Sequence, residues 1–251
     1  MQKRLLGSTG IAVSPIGLGT VKFGRTEGLK YPTSFQLPSD QDIHHLLSVA
    51  AELGINLIDT APAYGTSEMR LGELLVGQRD QWVISTKAGE EFINGQSVFD
   101  FSPAAITASV ERSLRSLKTD YLDVLLVHSN GDDERIIHEC NVFMTLDALK
   151  QAGKIRSFGM STKTTVGGKL TIDLADIAMV TYNSSYTDER VVIEYAKEKQ
   201  KGIFVKKALG SGHLSAADNL KFVLKESGVS SVIVGTINPA HLIANVGDIL
   251  K

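Results

Sequence analysis

The stretch Tyr121-Leu122-Asp123-Val124-Leu125-Leu126-Val127-His128 has the character of a buried parallel strand. Apolar and β-branched residues follow one another without regular polar alternation, as in strands that helices cover on both faces. The run is far shorter than the roughly 18 apolar residues of a membrane span. It ends in a titratable side chain, His128. The pattern predicts an interior strand of an α/β protein with a functional group at its C-terminal end.

Seven further runs of this kind recur along the chain, and segments of helical period separate them. The eight predicted strands cover residues 16–20, 56–61, 82–87, 124–129, 157–161, 178–183, 203–207 and 231–235. Helices are predicted to follow the cap residues Ser39, Ser67 and Ser102 and to cover residues 134–151, 166–171, 188–199, 216–225 and 239–250. The chain therefore consists of eight alternating β/α units.

This alternation favours a closed (β/α)8 TIM barrel over an open doubly wound sheet. The chain has 251 residues, a usual length for one such barrel, so we expect residues 1–251 to form one domain. Residues 4–14 are predicted to form a β-hairpin across the barrel bottom that turns at Thr9-Gly10. Gly17-Leu18-Gly19 lacks the third glycine of the dinucleotide-binding pattern, which argues against a Rossmann fold.

The overall composition argues against several classes of protein. Lys and Arg number 26 against 28 Asp and Glu, a formal net charge of −2, so no nucleic-acid partner is expected. No apolar run suits a membrane span, and residues 1–7 lack the apolar core of a signal peptide. Cys140 is the single cysteine, which suits a reducing compartment. We expect a cytoplasmic protein without a membrane partner.

Four titratable residues occur at the C-terminal ends of three successive predicted strands. Asp59 and Tyr64 follow the second strand, Lys87 ends the third, and His128 ends the fourth. Active sites of TIM barrels lie at this end of the strands. Asp59 could hold Lys87 charged, the ammonium would lower the pKa of Tyr64, and Tyr64 could then protonate a carbonyl oxygen while hydride arrives at the carbon. The pattern predicts acid–base chemistry on a carbonyl compound.

The segment Asp59-Thr60-Ala61-Pro62-Ala63-Tyr64-Gly65-Thr66-Ser67-Glu68 resembles the Asp-Thr-Ala…Tyr-Gly-x-Ser-Glu signature of the aldo-keto reductases. Ser85-Thr86-Lys87 is similar to the lysine strand of that family, and residues 121–128 to its histidine strand. The opening segments 6–10 and 17–20 match too. The resemblance covers the whole chain, and the chain is short for the family, without the long C-terminal loop that narrows the substrate pocket in many members.

The resemblance implies a reductase in which hydride passes from a nicotinamide cofactor to an aldehyde or ketone. Asp59, Tyr64, Lys87 and His128 then match the catalytic tetrad of the family, with Tyr64 as the proton donor. NADP(H) is the cofactor expected before NAD(H). The partners are a small carbonyl substrate and, as family members are often monomers, no second subunit.

The resemblance also implies which residues contact the cofactor. Those positions lie at the C-terminal ends of the predicted strands and in the segments that follow. They are Gly19, Thr20, Asp59, Ser161, Thr162, Met179, Lys206, Lys207, Ala208, Leu209, Ser211, Gly235, Thr236, His241 and Asn245.

Several of these positions depart from the family pattern. Thr162 replaces an asparagine, Met179 a glutamine, and Lys206 the tyrosine that often stacks under the nicotinamide. The Lys and Arg that often clamp the 2′-phosphate align with Gly235 and His241. A 2′-phosphate normally binds an Arg fork or a lysine, so the preference for NADPH is expected to be weak. Lys206 and Lys207 could substitute, but strand alternation predicts that they face opposite ways.

Two other functions remain open at this point. Lys87 could form a Schiff base with a carbonyl substrate, as in a lyase or class I aldolase, if its amine were neutral. The chain could also be a non-enzymatic sensor or scaffold that binds a nicotinamide cofactor. No metal site is expected, because His44-His45 lacks a third ligand at a suitable spacing.

Overall fold

In the computed structural model, which describes residues 1–250, eight parallel strands close into a barrel. Each strand pairs with the next along the chain, and the last pairs with the first. The barrel strands are β1 (Ile16–Gly19), β2 (Leu57–Asp59), β3 (Val83–Ala88), β4 (Leu122–His128), β5 (Ile155–Ser161), β6 (Ile177–Thr181), β7 (Gly202–Lys206) and β8 (Ser231–Gly235). The (β/α)8 prediction is confirmed.

Helices surround the barrel in the order that the sequence predicts. They are α1 (Val21–Gly24), α2 (Asp40–Glu52), α3 (Ser67–Leu74), α4 (Pro103–Ser116), α5 (Asp133–Glu139), α6 (Val142–Gln151), α7 (Thr165–Leu174), α8 (Arg190–Glu198), α9 (Ala216–Leu224) and α10 (Pro239–Leu250). Ser39 caps α2 in a capping box with Asp42, and Ser102 caps α4 ahead of Pro103. None of the described helices is long and apolar enough to cross a membrane.

The single helix predicted over residues 134–151 is wrong. Two helices, α5 and α6, occupy this part of the chain, and Asn141 separates them in a left-handed conformation with φ of 54°. Asparagine tolerates that conformation better than most residues because its side chain can bond locally. The apolar period continues across the break, so the hydrophobic pattern alone does not reveal it.

Apolar side chains form two layers of core. An inner group fills the barrel, and Leu6 of the N-terminal segment closes it from below. A larger group lies between the barrel and the helices. Arg4–Leu5 pairs antiparallel with Ala12–Val13, which confirms the N-terminal hairpin across the barrel bottom. The bottom of the barrel is therefore sealed, and the opposite end, where the strands finish, stays open.

A second hairpin, which the sequence analysis did not predict, rises above β3. Its strands are Glu90–Ile93 and Gln96–Phe99, and they pair antiparallel. Asn94 and Gly95 form the turn with φ of 50° and 80°, as expected for a type I′ hairpin turn. The hairpin places Glu90 at the rim of the open end of the barrel.

Candidate active site

The open end of the barrel holds a cavity of about 690 Å³. Asp59, Tyr64, Lys87 and His128 all line it, so the structure brings together the four residues that the sequence singled out. They meet because β2, β3 and β4 are neighbours in the barrel and their C-terminal ends lie side by side. The cavity is therefore the candidate active site.

Lys87 and Asp59 form a buried ion pair at the floor of the cavity. Lys87 Nζ lies 2.8 Å from both carboxylate oxygens of Asp59 and donates a further bond of 2.8 Å to the carbonyl oxygen of Thr60. Burial alone would lower the pKa of Lys87, but the interactions with the Asp59 carboxylate and then with Tyr64 outweigh it and raise the pKa. Lys87 is therefore an ammonium at neutral pH.

Tyr64 stands above this ion pair on a short 3-10 turn, Pro62–Tyr64. The Lys87 Nζ lies 4.9 Å from the centre of its ring. Gly65 follows with φ of 63°, and a Cβ there would collide with the carbonyl oxygen of Gly24, so the Tyr-Gly pair of the signature has a steric reason.

Burial determines the ionisation of Tyr64. It raises the pKa of the phenol more than the neighbouring Lys87 charge lowers it. The sequence predicted that the Lys87 ammonium would lower the pKa of Tyr64. This prediction is wrong, because desolvation of the phenolate in the closed end of the cavity is the larger effect. Tyr64 is a neutral hydroxyl, ready to donate its proton.

The last two residues of the signature fix the strands rather than the cavity. Ser67 Oγ bonds to Thr20 Oγ1 at 2.9 Å and to Thr60 Oγ1 at 3.0 Å. Glu68, which is buried, accepts a bond of 2.5 Å from Thr86 Oγ1. Both residues lie at the start of α3, so this helix holds the ends of β1, β2 and β3 in a fixed relation.

His128 faces Tyr64 edge to face, with ring centres 6.3 Å apart. Its Nδ1 lies 2.6 Å from Glu90 Oε2. Burial lowers the pKa of His128, and Glu90 offsets this only in part. We therefore take the imidazole as neutral at pH 7 with its proton on Nδ1, a state that still gives Glu90 a donor and leaves the other nitrogen, Nε2, away from that carboxylate.

Glu90 is a site residue that was not predicted from the sequence. Burial alone would raise its pKa, but the hydrogen bond and charge of His128, the Ser97 hydroxyl and the Arg25 guanidinium outweigh it and hold the pKa at about 2. Ser97 Oγ donates a bond of 2.6 Å to Glu90 Oε1. The Asn94-Gly95 turn signal between short β-branched and aromatic runs would have revealed the hairpin, but nothing local points from Glu90 to His128.

We expect the Glu90→Gln variant to lack the part of the unfolding free energy that wild type loses as the pH falls. A carboxyl with a depressed pKa stabilises the folded state above its ordinary pKa and loses that contribution as the pH falls toward about 2. Wild type should therefore lose about 2 kcal/mol more unfolding free energy than the variant between about pH 6 and pH 2. Urea denaturation at a series of pH values measures the difference.

Glu91→Gln is the matched control for this prediction. Glu91 is the next residue on the same hairpin and pairs with Arg112 toward solvent, and exposed pairs of this kind contribute little. If the unfolding free energies of Glu90→Gln and Glu91→Gln change with pH in the same way, the Glu90–His128 contact stabilises the fold no more than an exposed ion pair does.

The ends of β5, β6 and β7 continue the wall of the cavity beyond His128. Ser161 is in register with His128, and Lys206 Nζ donates to Ser161 Oγ at 2.8 Å and to the carbonyl oxygen of Thr162 at 2.6 Å. Met179, Gly19 and Thr20 line the same cavity. Ser161 and these neighbours were predicted to contact a cofactor, and the structure brings them to within the reach of one ligand.

Lys206 and Lys207 both line the cavity, contrary to the expectation from strand alternation. β7 ends at Lys206, and Lys207 adopts φ of 56°, so the period of two no longer applies at that point. Thr162, by contrast, does not line this cavity: the residue is fully buried, and its Oγ1 has no hydrogen-bond partner among residues 1–250.

A second cavity of about 540 Å³ adjoins the first. Tyr31, Lys207, Ser211 and Gly235 belong to the walls of both. The remaining predicted cofactor positions line the second cavity: Ala208, Leu209, Thr236, His241 and Asn245. An extended ligand could therefore run from the catalytic end of the first cavity into the second.

The donors between the two cavities suit a phosphate group. Lys207, Gly210, Ser211 and Gly212 all have left-handed backbone conformations, with φ of 56°, 53°, 59° and 93°. The N–H groups of Gly210 and Gly212 bond within the loop, to the carbonyl oxygens of Lys207 at 2.9 Å and of Leu209 at 2.8 Å. The Lys207 ammonium and the Ser211 hydroxyl line both cavities and are the donors of this loop that could meet an anion. The residues present therefore fit an extended anionic ligand such as a dinucleotide.

Among the residues that the structure describes, no arginine lines the second cavity. Its charged or titratable side chains are Lys22, Tyr31, Lys207, His241 and Asp248. Lys22 Nζ lies 3.9 Å from the centre of the Tyr31 ring. A 2′-phosphate would meet no guanidinium fork in this cavity and one carboxylate, Asp248.

Among residues 1–250, no three His, Cys, Asp or Glu side chains cluster in a way that could hold a metal ion.

The sequence of the chain is similar to those of known proteins. The sequence model of the Aldo/keto reductase family matches residues 15–221. The chain is 36% identical over 167 residues to the Aldo-keto reductase YhdN of Bacillus subtilis, which covers 64% of the chain and 47% of YhdN. It is 33% identical over 172 residues to the NADH-specific methylglyoxal reductase of Escherichia coli, covering 63% of the chain and 51% of that protein. The chain spans about half the length of the curated relatives it matches.

A solved structure is similar over almost the whole chain. A Pseudomonas aeruginosa protein, named as a candidate aldo-keto reductase, superimposes with a TM-score of 0.92 at 52% identity. The match covers 99% of this chain and 95% of that one. The architecture described above is thus shared with a crystal structure of nearly the same length.

Proposed function

The chain belongs to the Aldo/keto reductase family, and from that membership we propose that it reduces small aldehydes or ketones to alcohols with Tyr64 as the proton donor. The observation that carries the proposal is the neutral Tyr64 phenol above the Lys87–Asp59 ion pair, in one cavity with His128. Residues 1–251 would act as one catalytic domain, since all four residues come from the barrel itself. A bound reduced nicotinamide dinucleotide supplies the hydride.

The proposed acid–base step uses groups of this chain. Tyr64 donates its hydroxyl proton to the carbonyl oxygen as that oxygen gains negative charge. The Lys87 ammonium then faces the phenolate and stabilises it, and Asp59 keeps the ammonium oriented. His128 orients the carbonyl oxygen beside Tyr64, with its own ring held by Glu90. A proton from water restores the phenol, so the site returns to its starting state.

For the cofactor, Ser161, Met179 and Lys206 would contact the nicotinamide end, and the segment 207–212 would hold the pyrophosphate. NADP(H) stays the first expectation from the family, and the lining of the second cavity argues for weak discrimination against NAD(H). One relative in Escherichia coli is named as NADH-specific. We propose that both cofactors are accepted.

The Schiff-base alternative meets an obstacle at Lys87. A lysine must be a free amine to attack a carbonyl carbon, and Asp59 keeps this one charged. The sensor or scaffold alternative predicts binding of the dinucleotide without turnover. Both alternatives give results that differ from those of a reductase.

The test combines binding and turnover on the full chain. We expect NADPH and NADH each to bind in a fluorescence titration, with dissociation constants within about tenfold of each other, or about 1.4 kcal/mol. We then expect a panel of aldehydes and ketones, including methylglyoxal, to consume the reduced cofactor. Binding without turnover would favour the sensor, and a borohydride-stable adduct on Lys87 would favour the lyase.

A further inference from the structure

Lys206 is a charged group in the cavity for which the proposed step has no use. It ends β7, is in register with Thr181 of β6, and reaches past that strand to Ser161 and Thr162 at the end of β5. Two of the three donors of its ammonium are used in these bonds. Among residues 1–250, no carboxylate lies within ion-pair distance of Lys206 Nζ, unlike Lys87 on the opposite wall.

The charged groups around Lys206 only partly balance it. Glu189, at the start of α8, and the more distant Asp133 of α5 favour its charge, whereas Lys207 and Lys163 oppose it. The charge of Lys206 also contributes to the lowered pKa of His128. The Glu189 carboxylate already accepts a short hydrogen bond from the backbone N–H of Thr181.

Burial in the cavity is the main influence on the ionisation of Lys206. It lowers the pKa of the amine to about 7, although Glu189 acts against it. The charge of Lys206 is therefore present in weakly acidic solution and largely lost in weakly alkaline solution. This titration lies within the range in which most enzymes are assayed.

The position of Lys206 matters under the proposed function, on which this inference rests. Hydride can reach a carbonyl carbon only from a ring that lies in the same cavity as Tyr64 and His128. Ser161, the partner of Lys206, is in register with His128, so such a ring would lie close to the Lys206 amine. The oxidised nicotinamide ring is a cation, whereas the reduced ring is neutral.

We propose that Lys206 is a specificity-determining residue for the redox state of the cofactor: its ammonium repels the oxidised ring and leaves the affinity for the reduced ring unchanged. The phosphates and the ribose groups are the same in both forms, so their contacts cancel in the comparison. The site then binds the reduced cofactor more tightly than the oxidised cofactor. This preference is largest in weakly acidic solution, where Lys206 is charged.

The test measures binding of both redox forms of one cofactor, NAD+ and NADH, to the full chain at about pH 6 and about pH 8.5. The ratio of the two dissociation constants, oxidised over reduced, should be about tenfold larger at the lower pH in wild type. Lys206→Met removes the charge, and its ratio should be small at both values. Lys206→Arg keeps a charge at both values, and its ratio should stay large.

The variants separate a charge effect from a structural one. Loss of the Ser161 bond alone would weaken both redox forms together and leave the pH dependence of the ratio intact. Lys197→Met, on the outer side of the molecule in α8, is the control and should behave as wild type. A ratio that still changes with pH in Lys206→Met, or one that is constant in wild type, overturns the inference while the reductase stands. If neither form binds, the proposed function fails, and the inference fails with it.

Discussion

Replacement of Tyr64 by phenylalanine is expected to reduce carbonyl turnover by about 10²–10⁴-fold, the usual contribution of a positioned general acid. The phenol is neutral and stands above the Lys87–Asp59 pair, and the substitution removes only its hydroxyl. The ring would still pack edge to face against His128. Steady-state kinetics with any accepted aldehyde measures the loss.

Cofactor binding separates this prediction from a general loss of structure. The Tyr64→Phe variant should bind the reduced dinucleotide nearly as well as wild type, because Ser161, Lys206 and the segment 207–212, which would hold the cofactor, belong to β5, to β7 and to the loop after β7. Tyr195→Phe is the matched control: that hydroxyl donates to Asp173 on the outer helices, at 2.6 Å, and far from the cavity. Turnover at the wild-type rate in Tyr64→Phe would show that another group protonates the substrate.

The second large effect is expected at Lys87. Lys87→Met leaves the Asp59 carboxylate buried without its partner, and breaking a buried ion pair in this way typically costs about 3–5 kcal/mol of unfolding free energy. Only 2% of the Lys87 side chain and 4% of the Asp59 side chain are exposed, so the pair is almost fully desolvated in the folded protein. Denaturant unfolding at pH 7 measures the cost.

Two further variants locate the origin of that cost. Lys118→Met breaks an ion pair with Glu73 in which both side chains are about half exposed, and it should cost no more than about 1 kcal/mol. Asp59→Asn combined with Lys87→Met removes both charges and should recover part of the stability, but no activity. Equal costs for Lys87→Met and Lys118→Met would mean that the buried pair carries no special weight.

The barrel is the part of the protein that was most directly predicted. Strand and helix periods are local properties, and eight alternations leave few arrangements that bury every apolar run. The strand ends differ from their predicted positions by at most two residues; for example, the run 56–61 became β2, Leu57–Asp59. The helix predicted over residues 134–151 was wrong because a single left-handed residue, Asn141, interrupts a continuous apolar pattern.

The four candidate catalytic residues were also predictable, since each one ends or closely follows an apolar run. Their ionisation was not. The pKa of Tyr64 is raised rather than lowered, because the degree of burial depends on the hairpin, the turn and the neighbouring strands together. The same holds for Lys206, whose pKa is lowered first by burial in the cavity and only to a smaller extent by the adjacent Lys207.

The order of residues along the chain thus determined the barrel, its sealed bottom and the side at which reactive groups collect, because hydrophobic period and strand direction act over a few residues. Only the folded molecule decided that Glu90 meets His128, that Lys206 reaches Ser161, and that Lys207 turns into the cleft. These contacts join segments 38 to 45 positions apart, or depend on one backbone torsion. Packing and desolvation across such distances leave no trace in a local pattern.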